Sequence, residues 1–167
     1  MEALVLPEFM KSAVITGGGS GIGQAVAYSL AEAGHAIAIL DFDLEAAEAS
    51  VATIQGRGGT ARAIACDVAS TDSVRAAFDS IEHVDILINN AGIAAVGDVE
   101  KCTPEELDRI YQVNVKGIYH CLHFAIPKML EQGGGAIVNL ASIASKVGIK
   151  DRFAYSMSKG AALSMTQ

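Results

Sequence analysis

Short, continuously apolar runs alternate with helical-period segments along the whole chain, and few architectures accommodate that rhythm. SAVIT (12–16), AIAIL (36–40), TARAIAC (60–66), VDILIN (84–89) and GGGAIVNLA (133–141) each read as a buried strand. Between them, apolar residues recur three or four apart. Residues 21–34 place Ile22, Val26 and Leu30 on one helical face, with Gly34 as a C-terminal stop. Further helices are expected over 44–55 and roughly 71–81. Thr103-Pro104, a cap followed by proline at the first helical position, opens a long helix running towards Gln132, and a last one begins near Phe153.

Strands apolar on both faces belong in a parallel sheet covered by helices on both sides. Right-handed crossovers and a glycine-rich first turn make it a doubly wound, Rossmann-like sheet that binds ligands at the C-terminal ends of its strands. The chain has 167 residues, enough for one core, and contains no internal repeat, linker or low-complexity tract. One domain over 1–167 is expected.

Charge and residue usage narrow the function classes. A net charge of −7 leaves no basic stripe to neutralise phosphates, which excludes a nucleic-acid partner. Cys66, Cys102 and Cys121 are widely spaced without a C-x-x-C, as expected of free thiols in a reducing compartment. The N-terminus, MEALVLPEFMKS, has no basic region ahead of its apolar run and does not read as a signal peptide. No apolar stretch approaches the roughly 20 residues needed to span a bilayer, so a cytoplasmic chain with no membrane partner is expected. His120 and His123 lie three apart on a helix, but with no third ligand and no H-E-x-x-H no metal site is expected. His35 and His83 fall in turns and read as solvated, and Cys102 and Cys121 as ordinary thiols.

The first turn reads TGGGSGIG (16–23), with Gly17, Gly21 and Gly23 at the fixed points of T-G-x-x-x-G-I-G. Glycines there let the backbone approach a pyrophosphate, and the N–H groups at the helix start offer it partial positive charge. A tight strand–helix connection is the alternative. Asp41 closes the second strand, eighteen residues beyond Gly23. A carboxylate at that rim can take both ribose hydroxyls of an adenosine and repel a 2′-phosphate, which favours NAD over NADP. Asp43 is better placed than Asp41 to cap the following helix. Asp67, in Cys66-Asp67-Val68, can either hydrogen-bond an adenine amine or cap the next helix.

Tyr155 and Lys159 stand four apart, on one face of the last helix. A phenol beside an ammonium is a proton-transfer device, although such a pair is more often a plain surface contact. With TGGGSGIG, Asp41, Cys66-Asp67-Val68, NNAG (89–92), Asn114, Ser142 and the YSMSK run (155–159), the chain from about residue 11 to its end resembles the short-chain dehydrogenase/reductase family. The resemblance implies strand order 3-2-1-4-5 and hydride transfer between NAD(H) and an alcohol or carbonyl substrate. Tyr155 would be the general acid/base. Lys159 would supply charge to it and hold the nicotinamide ribose. Ser142 would hydrogen-bond the reacting oxygen, and Asn114 would hold a water that relays protons from Lys159. Gly17, Ser20, Gly21, Ile22, Gly23, Asp41, Asp67, Val68, Asn90, Ala91 and Gly92 would bind the cofactor with Tyr155 and Lys159.

Read without that resemblance, Ser142 is a strand-end loop residue, Asn114 a solvent-facing helical one and NNAG a turn. An extended epimerase/dehydratase also uses Tyr-x-x-x-Lys, but NNAG and the glycine spacing favour the shorter oxidoreductase branch. A methyltransferase would have no use for Ser142, Tyr155 and Lys159. The resemblance also implies a homo-oligomer (dimer or tetramer) and further elements after the Tyr-Lys helix, a sixth and a seventh strand among them. Those are absent, so the domain reads as C-terminally incomplete and AIVNLA (136–141) as an unprotected sheet edge. A catalytically impaired NAD-binding or partner-binding module is therefore the alternative. Lys146, Lys150, Asp151 and Arg152 border the expected pocket and hint at a polar or anionic substrate such as a sugar or keto acid.

Overall fold

A computed structural model describes residues 10–166; residues 1–9, where the reading of a leader falls, and Gln167 lie outside it. Five parallel strands, β1 (Ser12–Thr16), β2 (Ala36–Asp41), β3 (Ala61–Ala65), β4 (Ile86–Asn89) and β5 (Ala136–Asn139), pair in the order β3-β2-β1-β4-β5. That is the doubly wound sheet expected: β1 keeps its expected bounds, β2 extends one residue to Asp41, and β3, β4 and β5 are two to five residues shorter than their apolar runs.

Alternate strand residues feed two cores, one on each face. Ala13, Ile15, Ile37, Ile39 and Ile88 pack beneath α1 (Gly21–Glu32) and α2 (Leu44–Gly56), which contribute Ala27, Ala47, Val51 and Ile54. Val14, Ala38, Leu40 and Leu87 pack beneath α3 (Thr71–Asp79) and α5 (Gly117–Glu131), which contribute Val74, Ala77, Phe78, Cys121, Ala125 and Met129. Period-2 burial on both faces explains why the strands read as unbroken apolar runs. A third, small cluster of Ala95, Ile110 and Ala154 joins the loop after β4 to α4 (Pro104–Tyr111) and α6 (Phe153–Ser164).

The helix ends follow their caps. Asp43 caps α2 by accepting from Ala46 N, and Thr103 caps α4 by accepting from Glu106 N, with Pro104 at the first position. Gly34, at φ +88°, supplies the left-handed stop after α1. The glycine helix differs from expectation in one respect. Its core face is Gly23 and Ala27, with Val26 and Leu30 packed alongside, whereas Ile22 is 66% exposed at the rim of a cleft.

The expected single long helix is also broken in pitch. Residues Gln112–Lys116 form a π turn between α4 and α5, with Gly117 N donating to Gln112 O five residues back. Insertions of this kind leave no trace in hydrophobic periodicity and recur at functional sites.

Candidate active site

The C-terminal ends of the strands open into a cleft of about 720 Å³ that runs from Asp41 and Asp67 at one end to Tyr155 and Lys159 at the other. Its floor is held by hydrogen bonds between β1 and β4. Thr16 Oγ1 accepts from Asn90 N (3.1 Å) and Ala91 N (3.0 Å), while Asn90 Nδ2 donates to Thr16 O and Gly17 O, both at 3.0 Å. NNAG is therefore a clamp across two strands rather than a free turn.

The glycine turn is fixed by close approach. A Cβ on Gly23 would stand 2.2 Å from Gly17 O and 2.4 Å from Asn90 Nδ2, so no side chain fits where α1 meets the turn. Gly17 and Gly21 have φ of +66° and +56°, the left-handed region that glycine occupies without strain. Gly21 faces open space. Ser20, at the N-cap, makes no side-chain cap bond and the first turn of α1 holds no acidic residue, which leaves its N–H groups directed at the cleft without a side-chain acceptor. α2, α3 and α4, in contrast, each carry a side-chain cap and an acidic first turn.

Asp41 spans the turn and the second strand. Its Oδ2 accepts from Gly19 N (2.8 Å) and its Oδ1 from Asp43 N (3.0 Å), leaving further lone pairs open to the cleft. Asp67 Oδ1 accepts from Ala69 N (2.9 Å), and Ser70 rather than Asp67 caps α3. The helix-cap alternative for Asp67 therefore falls away. Beneath Val68, His120 is buried with both ring nitrogens engaged. Nδ1 lies 2.9 Å from Val68 O and donates to it, and Nε2 lies 3.0 Å from Thr71 Oγ1. Among the described residues no group of three His, Cys, Asp or Glu is placed to hold a metal.

At the other end, Lys159 is 6% exposed. Its Nζ donates to Leu140 O at 2.6 Å and lies 5.9 Å from the centroid of the Tyr155 ring. No carboxylate pairs with it among the described residues, and burial lowers its pKa from the ordinary lysine value. Asn114, in the π turn, is fully buried rather than solvent-facing. It donates to Ile93 O (2.8 Å) and Ser158 Oγ (3.0 Å) and accepts from Ile93 N (2.8 Å), tying the loop after β4 to α6. Both amide protons are thus committed to protein groups. Ser142 starts a 3₁₀ turn (Ile143–Ser145) by accepting from Ala144 N at 3.2 Å, which leaves its hydroxyl proton free to donate.

Of the residues singled out in the sequence, Gly17, Ser20, Gly21, Ile22, Asp41, Asp67, Val68, Asn90, Ala91, Gly92, Tyr155 and Lys159 line the cleft. Gly23, Asn114 and Ser142 do not; they stand behind or beside it. Lys146, Lys150, Asp151 and Arg152 do not line it either, and Arg152 donates instead to Ala95 O at 3.1 Å. Sequence reasoning did not single out the bracing Thr16 or the lining Arg109, nor the apolar lining residues such as Leu40, Ile93 and Val113. Thr16 was already visible as the first letter of the glycine motif, whereas Arg109, on the wall, carries no local signal. His35 departs from its reading as solvated, since its Nδ1 is buried without a partner. Burial raises the pKa of Cys66 to about 11 and that of Cys121 as well, so both thiols stay protonated and unreactive near neutral pH.

Comparison with known proteins agrees with this geometry. An uncharacterized oxidoreductase of Thermotoga maritima is 41% identical over 159 residues, covering 94% of this chain and 63% of that protein. D-threitol dehydrogenase of Mycolicibacterium smegmatis is 40% identical over 153 residues, covering 89% of this chain and 59% of its own length. The crystal structure of an NAD+-bound xylitol dehydrogenase superposes with a TM-score of 0.91 at 38% identity, over 96% of this chain and 64% of that one. The chain thus spans about three fifths of the length of these relatives. The family model described as short chain dehydrogenase matches residues 11–167, nearly the whole sequence, and with the sheet order and cleft just described it makes this chain a member of that family of oxidoreductases.

Proposed function

We propose that the chain carries the cofactor cradle and the proton-transfer residues of an NAD(H)-dependent oxidoreductase acting on a secondary alcohol or the corresponding carbonyl. The observation that carries this reading is Lys159, a cation buried without a carboxylate partner beside Tyr155, in the same cleft as the glycine turn and Asp41. A buried unpaired charge is costly to keep and marks a functional site more often than a structural one.

The residues present fit the dinucleotide. The uncapped start of α1 offers N–H groups to a diphosphate, and Asp41 has lone pairs for the adenosine ribose hydroxyls, where it disfavours a 2′-phosphate. Asp67 and Val68 face the adenine end, and Asn90, Ala91 and Gly92 line the path towards the nicotinamide. When bound, NAD(H) supplies the hydride acceptor or donor. Tyr155 exchanges the proton with the substrate oxygen. Lys159, fixed by Leu140 O, stabilises negative charge that develops on the phenol oxygen, and its remaining N–H donors would hold the nicotinamide ribose. Ser142 donates its free hydroxyl proton to the reacting oxygen. Asn114 acts first as a positioning residue for the Ile93 loop and α6; a relay water would have to use the remaining lone pair of its Oδ1 or a main-chain carbonyl of the π turn.

Polyols lead the substrate class, because two of the relatives compared above are named for threitol and xylitol; other sugars and keto acids follow. A cytoplasmic homo-oligomer remains the proposed setting. The test is turnover of NAD+ with a panel of polyols and other secondary alcohols, alongside Tyr155→Phe. Turnover that falls about 10²–10⁴-fold in Tyr155→Phe, with cofactor binding unchanged, supports the reading. Binding with no turnover on any panel member points instead to an NAD- or partner-binding module.

A further inference from the structure

The cleft presents charges of both signs, and one cation on its wall, the exposed Arg109, has no side-chain partner among the described residues. Asp41 and Asp67 bring negative charge to the adenosine end, the glycine turn contains no Lys or Arg, and Lys159 lies at the opposite end of the cleft beside Tyr155. A dinucleotide diphosphate carries two negative charges, for which the turn supplies N–H groups but no full positive charge. Resting on the NAD(H) reading above, we infer that Arg109 is the guanidinium that neutralises that diphosphate.

Three observations converge on it. Arg109 lines the cleft beside Ile93, Ala94 and Val113. It is also the one arginine of five with no ion pair or hydrogen bond among the described residues. Arg57 pairs with Glu32, Arg75 with Asp72, Arg62 donates to Ser80 O and Arg152 to Ala95 O. Glu105 and Glu106, four and three positions before it on α4, do not hold it at ion-pair distance.

A basic residue in a last helical turn ordinarily complements terminal carbonyls. Here α4 continues through the π turn into α5, so there is no helix end to complement. The helix is also tied to the cleft. Asn114, five residues on, is bonded twice to Ile93, which follows the Asn90–Gly92 clamp, and Ala91 Cα would stand 3.0 Å from a Cβ on Gly17. Five residues of helix span roughly 7 Å, within the reach of an extended arginine side chain. The guanidinium fork matches phosphate oxygens in a way that an ammonium does not.

The test is calorimetric binding of adenosine, ADP and NAD+ to the wild type, Arg109→Gln and Arg109→Lys, with thermal unfolding as a check on folding. For Arg109→Gln, affinity for ADP and NAD+ falls about tenfold, adenosine affinity is unchanged, and the salt dependence of ADP binding weakens. Arg109→Lys recovers part of the loss. The assignment is overturned if Arg109→Gln binds ADP and NAD+ as the wild type does, including the case where only the KM of an anionic substrate rises. It is overturned equally if adenosine affinity drops in parallel, which would report damage to the wall. A wild type that binds neither ADP nor NAD+ would remove the dinucleotide reading itself, and this assignment with it.

Discussion

The two ends of the cleft are built on different principles. At the nucleotide end, close approach and hydrogen bonds fix the turn. Gly23 abuts Gly17 O and Asn90, Asp41 holds Gly19, Thr16 accepts from two successive N–H groups, and β1 and β2 are buried along almost their whole length. At the reaction end the buried Lys159 has no carboxylate partner among the described residues and is held by a single bond to Leu140 O. One end is specified by close packing; the other carries an electrostatic cost. Packing defines a binding surface that serves any reaction, whereas a buried cation without a carboxylate partner is useful where charge must move.

If that contrast holds, glycine substitutions should separate the two ends. Gly23→Ala forces a Cβ into Gly17 O and should cost about 3 kcal/mol of stability in denaturant unfolding, with loss of cofactor binding. A Gly23→Ala protein as stable as the wild type would break the distinction.

Lys159→Met probes the reaction end next, and should lower turnover by about 10²–10⁴-fold. Its stability should change little, because the lost bond to Leu140 O is offset by relief of the buried charge. The pH dependence follows from the depressed lysine pKa. Below the folded-state value both folded and unfolded chains are protonated and the penalty is full. Between that value and the ordinary 10.5 the unfolded chain binds more protons, so wild-type stability rises with pH relative to Lys159→Met. Parallel stability curves for the two proteins up to pH 10.5 would refute the buried-charge description. The smallest effect is of opposite sign: Gly160→Ala, in open helical surroundings, should stabilise by about 0.5–1 kcal/mol.

How far the sequence disclosed this structure depended on whether a feature has a local signature. Burial on both strand faces produces unbroken apolar runs, so the sheet and its helices were legible, as were the caps at Asp43, Thr103-Pro104 and Gly34. Ile22 misled because it keeps the helical spacing of Val26 and Leu30 yet starts the helix at the cleft rim, where a neighbouring turn replaces the core. The π turn escaped because one extra residue per turn leaves apolar spacing nearly intact. His35 differs from its solvated reading, and the partners of His120 carry no local signal, since a histidine's neighbours come from elements distant in sequence: Val68 and Thr71 lie some fifty residues before His120. Arg109 was invisible for the same reason. Nothing in DRIYQVN distinguishes an arginine facing a cleft from one facing solvent.

The dinucleotide cleft is tested most directly by titrating the wild type and Asp41→Ala with NADH while following nucleotide fluorescence. The geometry predicts saturable binding with one site per chain, weakened at least about tenfold by Asp41→Ala through loss of the ribose contact and of the Gly19 anchor. Absence of saturable binding to the wild type, or equal affinity in the two proteins, would contradict it.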